Sequence, residues 1–233
     1  MTPDSPPLDY RQRHAAAPTD VNPALNRTRN TGLTYQRVVD ALRRSEVGSF
    51  LPTMPRRLLD YGCGFGEGSS YLEGLFPGWT PDAYDSSPPA EWLHPKTTLL
   101  TPEELPVAPS YHLIFAISVL DGLSLSRRRE VATDIYDLLL PGGVAVFVVR
   151  PWYHDIELLE GIRGSEPYTI YVPRGRNSTP PYVFQKGYTP LELEFYLQWL
   201  FNGNATLSAE VHALPIPNAT TIASYIKKKG AHE

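Results

Sequence analysis

Apolar positions recur along this chain with two different periods. Tyr35, Val38, Val39 and Leu42 fall at i, i+3, i+4 and i+7, which predicts an amphipathic helix with Thr34 as its N-cap. Beyond Pro52 and Pro55, strand-like and helix-like runs alternate. Residues 57–61 form a short apolar strand that runs into glycines, and a helix over about 69–76 is closed by Pro77-Gly78. Residues 80–84 read as a second, poorer strand, ended by Asp85 and the run Ser86-Ser87-Pro88-Pro89. Residues 113–119 are nearly all apolar, as expected of a strand buried on both faces of a parallel sheet. A helix over 127–140 follows, with Ser126 as its cap and Val131, Ile135, Leu138 and Leu139 as its buried stripe.

Pro141-Gly142-Gly143 turns the chain into a second fully apolar strand, 144–149. Thr189-Pro190-Leu191-Glu192 is a capping box with proline at the first helical position, opening a helix to about Phe201. Two final strands, 207–214 and 221–228, are joined by Pro215-Ile216-Pro217-Asn218 and must pair antiparallel. Alternation of strands and helices predicts an α/β fold with a mostly parallel sheet covered on both faces. No internal repeat is present.

Composition narrows the picture. The 233 residues carry 21 basic and 25 acidic side chains, a net charge of −4, so no strong global field invites nucleic acid or an anionic membrane. Apolar residues make up 42%, enough for a substantial core. The single cysteine, Cys63, excludes an internal disulfide framework and any cysteine-only structural zinc site. No run reaches the length of a membrane span, the first thirty residues are too polar for a secretory signal, and a cytoplasmic protein is expected. The sequons at Asn26, Asn177, Asn204 and Asn218 then read as chance matches. The 24 prolines are about twice the usual share and belong in loops and ends. Residues 1–30, with Pro3, Pro6, Pro7, Pro18 and Pro23, read as a flexible arm before a single domain over 31–233.

The most informative stretch is Asp60-Tyr61-Gly62-Cys63-Gly64-Phe65-Gly66-Glu67-Gly68, between a strand and a helix. Glycines at alternate positions let the backbone pass close to a ligand, with helix N–H groups exposed beside it. The dinucleotide spacing G-x-G-x-x-G/A fails from both Gly62 and Gly64, and a leading carboxylate would repel a pyrophosphate. A nucleotide-binding oxidoreductase is disfavoured on this ground. The match is D-x-G-x-G-x-G, which resembles motif I of the class I S-adenosylmethionine-dependent methyltransferases. Asp85, nineteen residues past Gly66, the 113–121 segment, the Leu-Leu-Leu-Pro-Gly-Gly turn and the terminal strand pair extend the resemblance over roughly 58–228.

That resemblance implies a Rossmann-like, mostly parallel seven-stranded sheet with a C-terminal antiparallel hairpin, and S-adenosyl-L-methionine as cofactor. By position, Gly62, Cys63, Gly64 and Gly66 would line the methionine part and Asp60 would hold its ammonium group. Asp85 would take the ribose hydroxyls, Ser86 would flank the adenine, and Ser118 would stand at the end of the fourth strand. At the adenine segment Thr101 holds the position acidic in relatives and Pro102 has no N–H to give, so Glu103 or Glu104 is the candidate substitute. Asn30, Thr31, Tyr35 and Arg37 could close over the cofactor's carboxylate, or form an exposed polar face.

Candidate chemistry lies at the carboxyl ends of the fourth and fifth strands, where open α/β sheets bind ligands. Asp121 could act as general base or cap the following turn, and Arg150, Trp152 and Tyr153 share that rim. The amino-methyltransferase motif [DNS]-P-P-[YFW] is absent after the fourth strand, and Thr179-Pro180-Pro181-Tyr182 reads as a proline-rich loop. Residues 150–188 form a connection too long for a plain loop, rich in aromatics and in Arg163, Arg174, Arg176 and Lys186. It reads as a lid with its own small core, or as a platform for nucleic acid or a nucleotide. Residues 184–189 are similar to phage-type and DNA-phosphorothioation-associated methyltransferases. The expected function is methyl transfer to an unidentified acceptor, a small molecule or a nucleic acid or nucleotide. The alternative is a non-catalytic methyltransferase-like subunit that supports a partner.

Overall fold

The computed structural model describes residues 23–50, 56–87, 92, 94, 96–152, 162–173, 182–200, 205–216 and 219–229. In chain order the elements are α1 (Pro23–Arg44), β1 (Arg57–Tyr61), α2 (Glu67–Leu75), β2 (Thr80–Tyr84), β3 (Thr98–Leu100) and β4 (Tyr111–Ile117). They continue with α3 (Leu125–Leu138), β5 (Leu139–Val149), β6 (Ile162–Arg163), β7 (Thr169–Pro173) and β8 (Tyr182–Lys186). The chain then forms α4 (Pro190–Leu200), β9 (Ala205–Ile216) and β10 (Ala219–Lys228). A seven-stranded sheet has the order β3-β2-β1-β4-β5-β10-β9. Its first five strands are mutually parallel, and β10 runs antiparallel to both β5 and β9. Glycine loop and fourth- and fifth-strand exits therefore share one carboxyl edge.

Successive strand residues point to opposite faces, and both faces are buried. Leu58, Leu113, Phe115, Val144, Val146 and Val148 pack with Tyr35, Val38 and Leu42 of α1 and Leu72 of α2. Leu59, Ile114, Ala116, Ala145, Phe147 and Val149 pack with Val131 and Ile135 of α3 and Leu193 and Leu197 of α4. This explains why 113–117 and 144–149 show no polar alternation. Each fully buried Val or Phe contributes roughly 1.5–3 kcal/mol. Tyr225 of β10 ties α1 down further, its hydroxyl donating to Val38 O at 3.1 Å.

Several boundaries differ from those the pattern predicts. Helix α1 begins at Pro23, so Thr34 lies inside it and is not its N-cap. Pro23 at the first position suits a helix start, where a missing N–H costs nothing. Of the segment read as an arm, 23–30 belong to α1, and 1–22 lie outside the described residues. Helix α3 starts at Leu125, with Ser124 rather than Ser126 at the N-cap position. It ends at Leu138, and Pro141-Gly142-Gly143 is a bulge inside β5 rather than a turn before it. From Tyr111–Leu139 to Leu113–Val144 the pairing advances two residues on β4 and five on β5. Gly142, at φ 79°, absorbs the excess in the left-handed region.

The long connection folds into a small antiparallel sheet, β6-β7-β8, with 153–161 and 174–181 outside the described residues. A parallel bridge, Pro151 to Tyr188, joins it to the exit of β5. Two buried cations fasten it to the helices: Arg128 of α3 pairs with Glu166, and Lys186 pairs with Glu192 of α4 and donates to Pro167 O at 2.8 Å. The predicted capping box is half realised. Thr189 Oγ1 accepts the Glu192 N–H at 3.1 Å, while the Glu192 carboxylate turns to Lys186. No helix among the described residues is long and apolar enough to cross a membrane.

Candidate cofactor and active site

The loop after β1 is built on three left-handed glycines, Gly62 (φ 76°), Gly64 (φ 59°) and Gly66 (φ 82°). The Gly62 and Cys63 N–H groups donate to Tyr84 O at 2.6 and 3.0 Å, fixing the loop to the end of β2. Small size matters as well as φ. A Cβ on Gly62 would strike Val119, and one on Gly66 would strike Trp92 and His94. Gly66 also holds the N-cap position of α2, with no side-chain cap, so the first N–H groups of α2 are not closed off by a cap.

Two carboxylates converge on this loop. Asp60, 1% exposed at the end of β1, accepts the Tyr35 hydroxyl at 2.9 Å on Oδ1 and the Ser69 hydroxyl at 2.7 Å on Oδ2. Burial pushes its pKa up to about 6, against the pull of those two hydrogen bonds and with a further push from Asp85. Asp85, buried at the end of β2, accepts the Gly64 N–H at 3.0 Å and the Ser87 N–H at 2.8 Å. Each carboxylate oxygen has two lone pairs and can accept more than one hydrogen bond. Two buried carboxylates favour a ligand bearing positive charge and hydroxyl donors. They disfavour a pyrophosphate.

Other candidates fall around the same edge. Ser86 is exposed just past Asp85. Cys63 is buried, its thiol directed to Gly64 O at 3.8 Å, and burial beside Asp60 and Asp85 pushes its pKa up strongly. Burial and the raised pKa both disfavour that thiol as a nucleophile. Glu104 is exposed and accepts the Thr101 N–H at 2.9 Å, closing the turn that follows β3. Ser118, at φ 56°, donates its N–H to Val148 O at 2.8 Å. Asp121 is buried, and its Oδ1 accepts the Arg150 N–H at 3.2 Å, tying the exit of β4 to that of β5. Tyr35 reaches Asp60 from α1, whereas Tyr153 lies outside the described residues.

Three participants escape the sequence pattern. Ser69 is the third residue of α2 and reaches back to Asp60; its one signal is a small polar residue on a buried helix face. Trp92 and His94 lie against Gly66, with Trp92 Nε1 donating to His94 O and Thr97 O at 3.0 and 2.9 Å. They sit in a stretch with no periodicity, which gave no signal. Among the described residues no cluster of His, Cys, Asp and Glu suits a metal ion.

No family model matches the sequence, and no curated protein matches it. Solved structures do match in fold. The 1,6-didemethyltoxoflavin-N1-methyltransferase of Burkholderia thailandensis, bound to 1,6-didemethyltoxoflavin and S-adenosylhomocysteine, superposes with TM-score 0.59 at 15% identity, over 96% of this chain and 94% of that one. The PH0226 protein of Pyrococcus horikoshii gives 0.60 at 10% identity, over 95% and 100%. CalS10, an S-adenosylmethionine-bound amino pentose methyltransferase of Micromonospora echinaspora, gives 0.53 at 16%, over 93% and 100%. This chain has the fold of the class I S-adenosylmethionine-dependent methyltransferases.

Proposed function

We propose that the chain is an S-adenosylmethionine-dependent methyltransferase. The observation that carries this reading is the left-handed glycine loop at the end of β1, facing buried Asp60 and Asp85 at one carboxyl edge. The residues fit the cofactor. Gly62, Gly64 and Gly66 offer close backbone approach, Asp60 a partner for an ammonium, and Asp85 acceptors for a diol. When bound, S-adenosylmethionine supplies a methyl group on a sulfonium, an electrophile that needs little acid–base help. The chain's task is then to align the acceptor and exclude water. Asp121, between the exits of β4 and β5, is its candidate for removing an acceptor proton.

The proposed acceptor is a small molecule or a nucleic acid or nucleotide. Matched structures include a 1,6-didemethyltoxoflavin-N1-methyltransferase and an amino pentose methyltransferase, so the shared fold selects no acceptor. Calorimetry with S-adenosylmethionine, S-adenosylhomocysteine and NAD tests the cofactor, with binding of the first two and none of NAD expected. Asp85→Ala should weaken that binding by ~1–3 kcal/mol, the cost of leaving hydroxyls unpaired. An unchanged affinity would remove Asp85 from the ribose role. A second reading, a non-catalytic subunit, draws support from Pro102, which offers no N–H to an adenine edge. Radiolabelled methyl transfer to fractionated small molecules, RNA, DNA and protein separates the two.

A further inference from the structure

Among the described residues, two non-glycines hold a left-handed backbone: Ser118 at φ 56° and Tyr168 at φ 58°. Ser118 follows β4. Tyr168 comes to the same edge from the β6–β7 hairpin, its ring packed on Trp152 with centroids 5.5 Å apart and planes at 49°. Trp152 is three residues past the end of β5, its N–H donating to Tyr188 O at 2.9 Å. The pair thus stands at the exit of β5, on the carboxyl edge that carries the glycine loop and Asp85.

A bulky side chain in this backbone region costs free energy that glycine would not incur. The surroundings impose it. Gly187 N–H donates to Tyr168 O at 2.9 Å, Gly164 N–H to Thr169 O at 3.0 Å, and Lys186 Nζ to Pro167 O at 2.8 Å. The Lys186 ammonium lies 5.1 Å from the Tyr168 ring centroid, and the Arg163 guanidinium 4.7 Å from that of Trp152. Tyr168 is nevertheless 40% exposed, so the strain does not serve to bury it. Strain kept in order to display a ring at a ligand edge points to binding.

We propose that Trp152 and Tyr168 form the wall against which the methyl acceptor lies, and that the acceptor presents a planar heteroaromatic ring. The inference rests on the methyltransferase reading above. Stacking reads a flat π-face and tolerates different ring substituents. The guanidinium of Arg163, 4.7 Å over the indole centroid, covers one face of Trp152 and presents its own planar face on that side of the wall. Such a ring belongs to a free small molecule or to a base in a single strand, and the chemistry of the wall is the same for both.

Tryptophan fluorescence titrations with quinoline, guanosine, decahydroquinoline and a short mixed-sequence single strand test it, with and without S-adenosylhomocysteine. Planar rings should bind at least about tenfold more tightly than decahydroquinoline. Tyr168→Gly should lose about tenfold toward planar rings, keep its S-adenosylhomocysteine affinity, and melt no lower than the parent chain. Tyr168→Phe should retain ring binding. Trp152→Leu supplies a second variant with the same expected loss. Tighter binding of the strand than of the free rings assigns the source to nucleic acid, and the reverse assigns it to a small molecule. Equal affinity for flat and saturated rings, or ring binding untouched by Tyr168→Gly and Trp152→Leu, overturns the wall. Absent S-adenosylhomocysteine binding overturns the methyltransferase reading instead, because ring binding is measured in its own right.

Discussion

Asp60 is a carboxylate held almost wholly out of water by a tyrosine from α1 and a serine from α2. Two hydroxyl donors only partly offset its desolvation, and its pKa stands at about 6. An unfolded aspartate titrates near ~3.9, so the folded state binds this proton more tightly. The resulting stability is complete below about pH 4 and is lost as pH rises through 6, a change of about 3 kcal/mol. Asp60→Asn removes the titration. Denaturant unfolding at pH 4 and pH 7 should show the variant gaining on the parent by about 2 kcal/mol, and a constant difference would refute the burial argument. Asp85, tied to two backbone N–H groups, is the contrasting case of a buried carboxylate satisfied by the main chain.

At the scale of elements, the small sheet β6-β7-β8 depends on charges buried against α3 and α4. Lys186, 1% exposed, has its pKa lowered by burial, with Glu192 pulling the other way. Glu192→Gln leaves that ammonium with the Pro167 carbonyl and the faces of Tyr168 and Tyr188. It should cost about 2 kcal/mol, below the range for a fully buried pair because Glu192 keeps solvent contact. Adding Lys186→Met should recover most of the loss in thermal melts; a double variant no better than the single would refute the clasp. Little of this clasp was legible in the sequence, where Lys186 and Glu192 belonged to different motifs. The strand core was legible, because residues buried on both faces admit no polar alternation, and β1 and β2 ended at the glycine and Asp85 signals. The start of α1 was not, since prolines and polar residues mask a helix whose apolar face begins only near Tyr35. At the site, alternate glycines and spaced carboxylates declare themselves locally. Ser69, Trp92 and the Tyr168–Trp152 pair act through contacts that only the fold brings about.

For the molecule as a whole, the two packed layers follow from residue parity: odd and even positions of β4 and β5 enter opposite cores. Candidate binding groups are thereby left to the strand ends, where backbone and side chains are not consumed in packing. The placement of β10 between β5 and β9 has another consequence, for synthesis. β10, which follows β9 in the chain, fills the place between β5 and β9, so until residue 219 emerges, one edge of β5 and the strand-forming run of β9 lack their partner. An apolar edge left open on the ribosome is a template for pairing with another chain. Chains stopped before residue 219 should scatter light and sediment in cell-free translation more than chains that include residues 219–228. Equal behaviour of the two would mean that β5 is shielded some other way. The order of the strands thus predicts that chains lacking β10, more than chains that contain it, call for a chaperone.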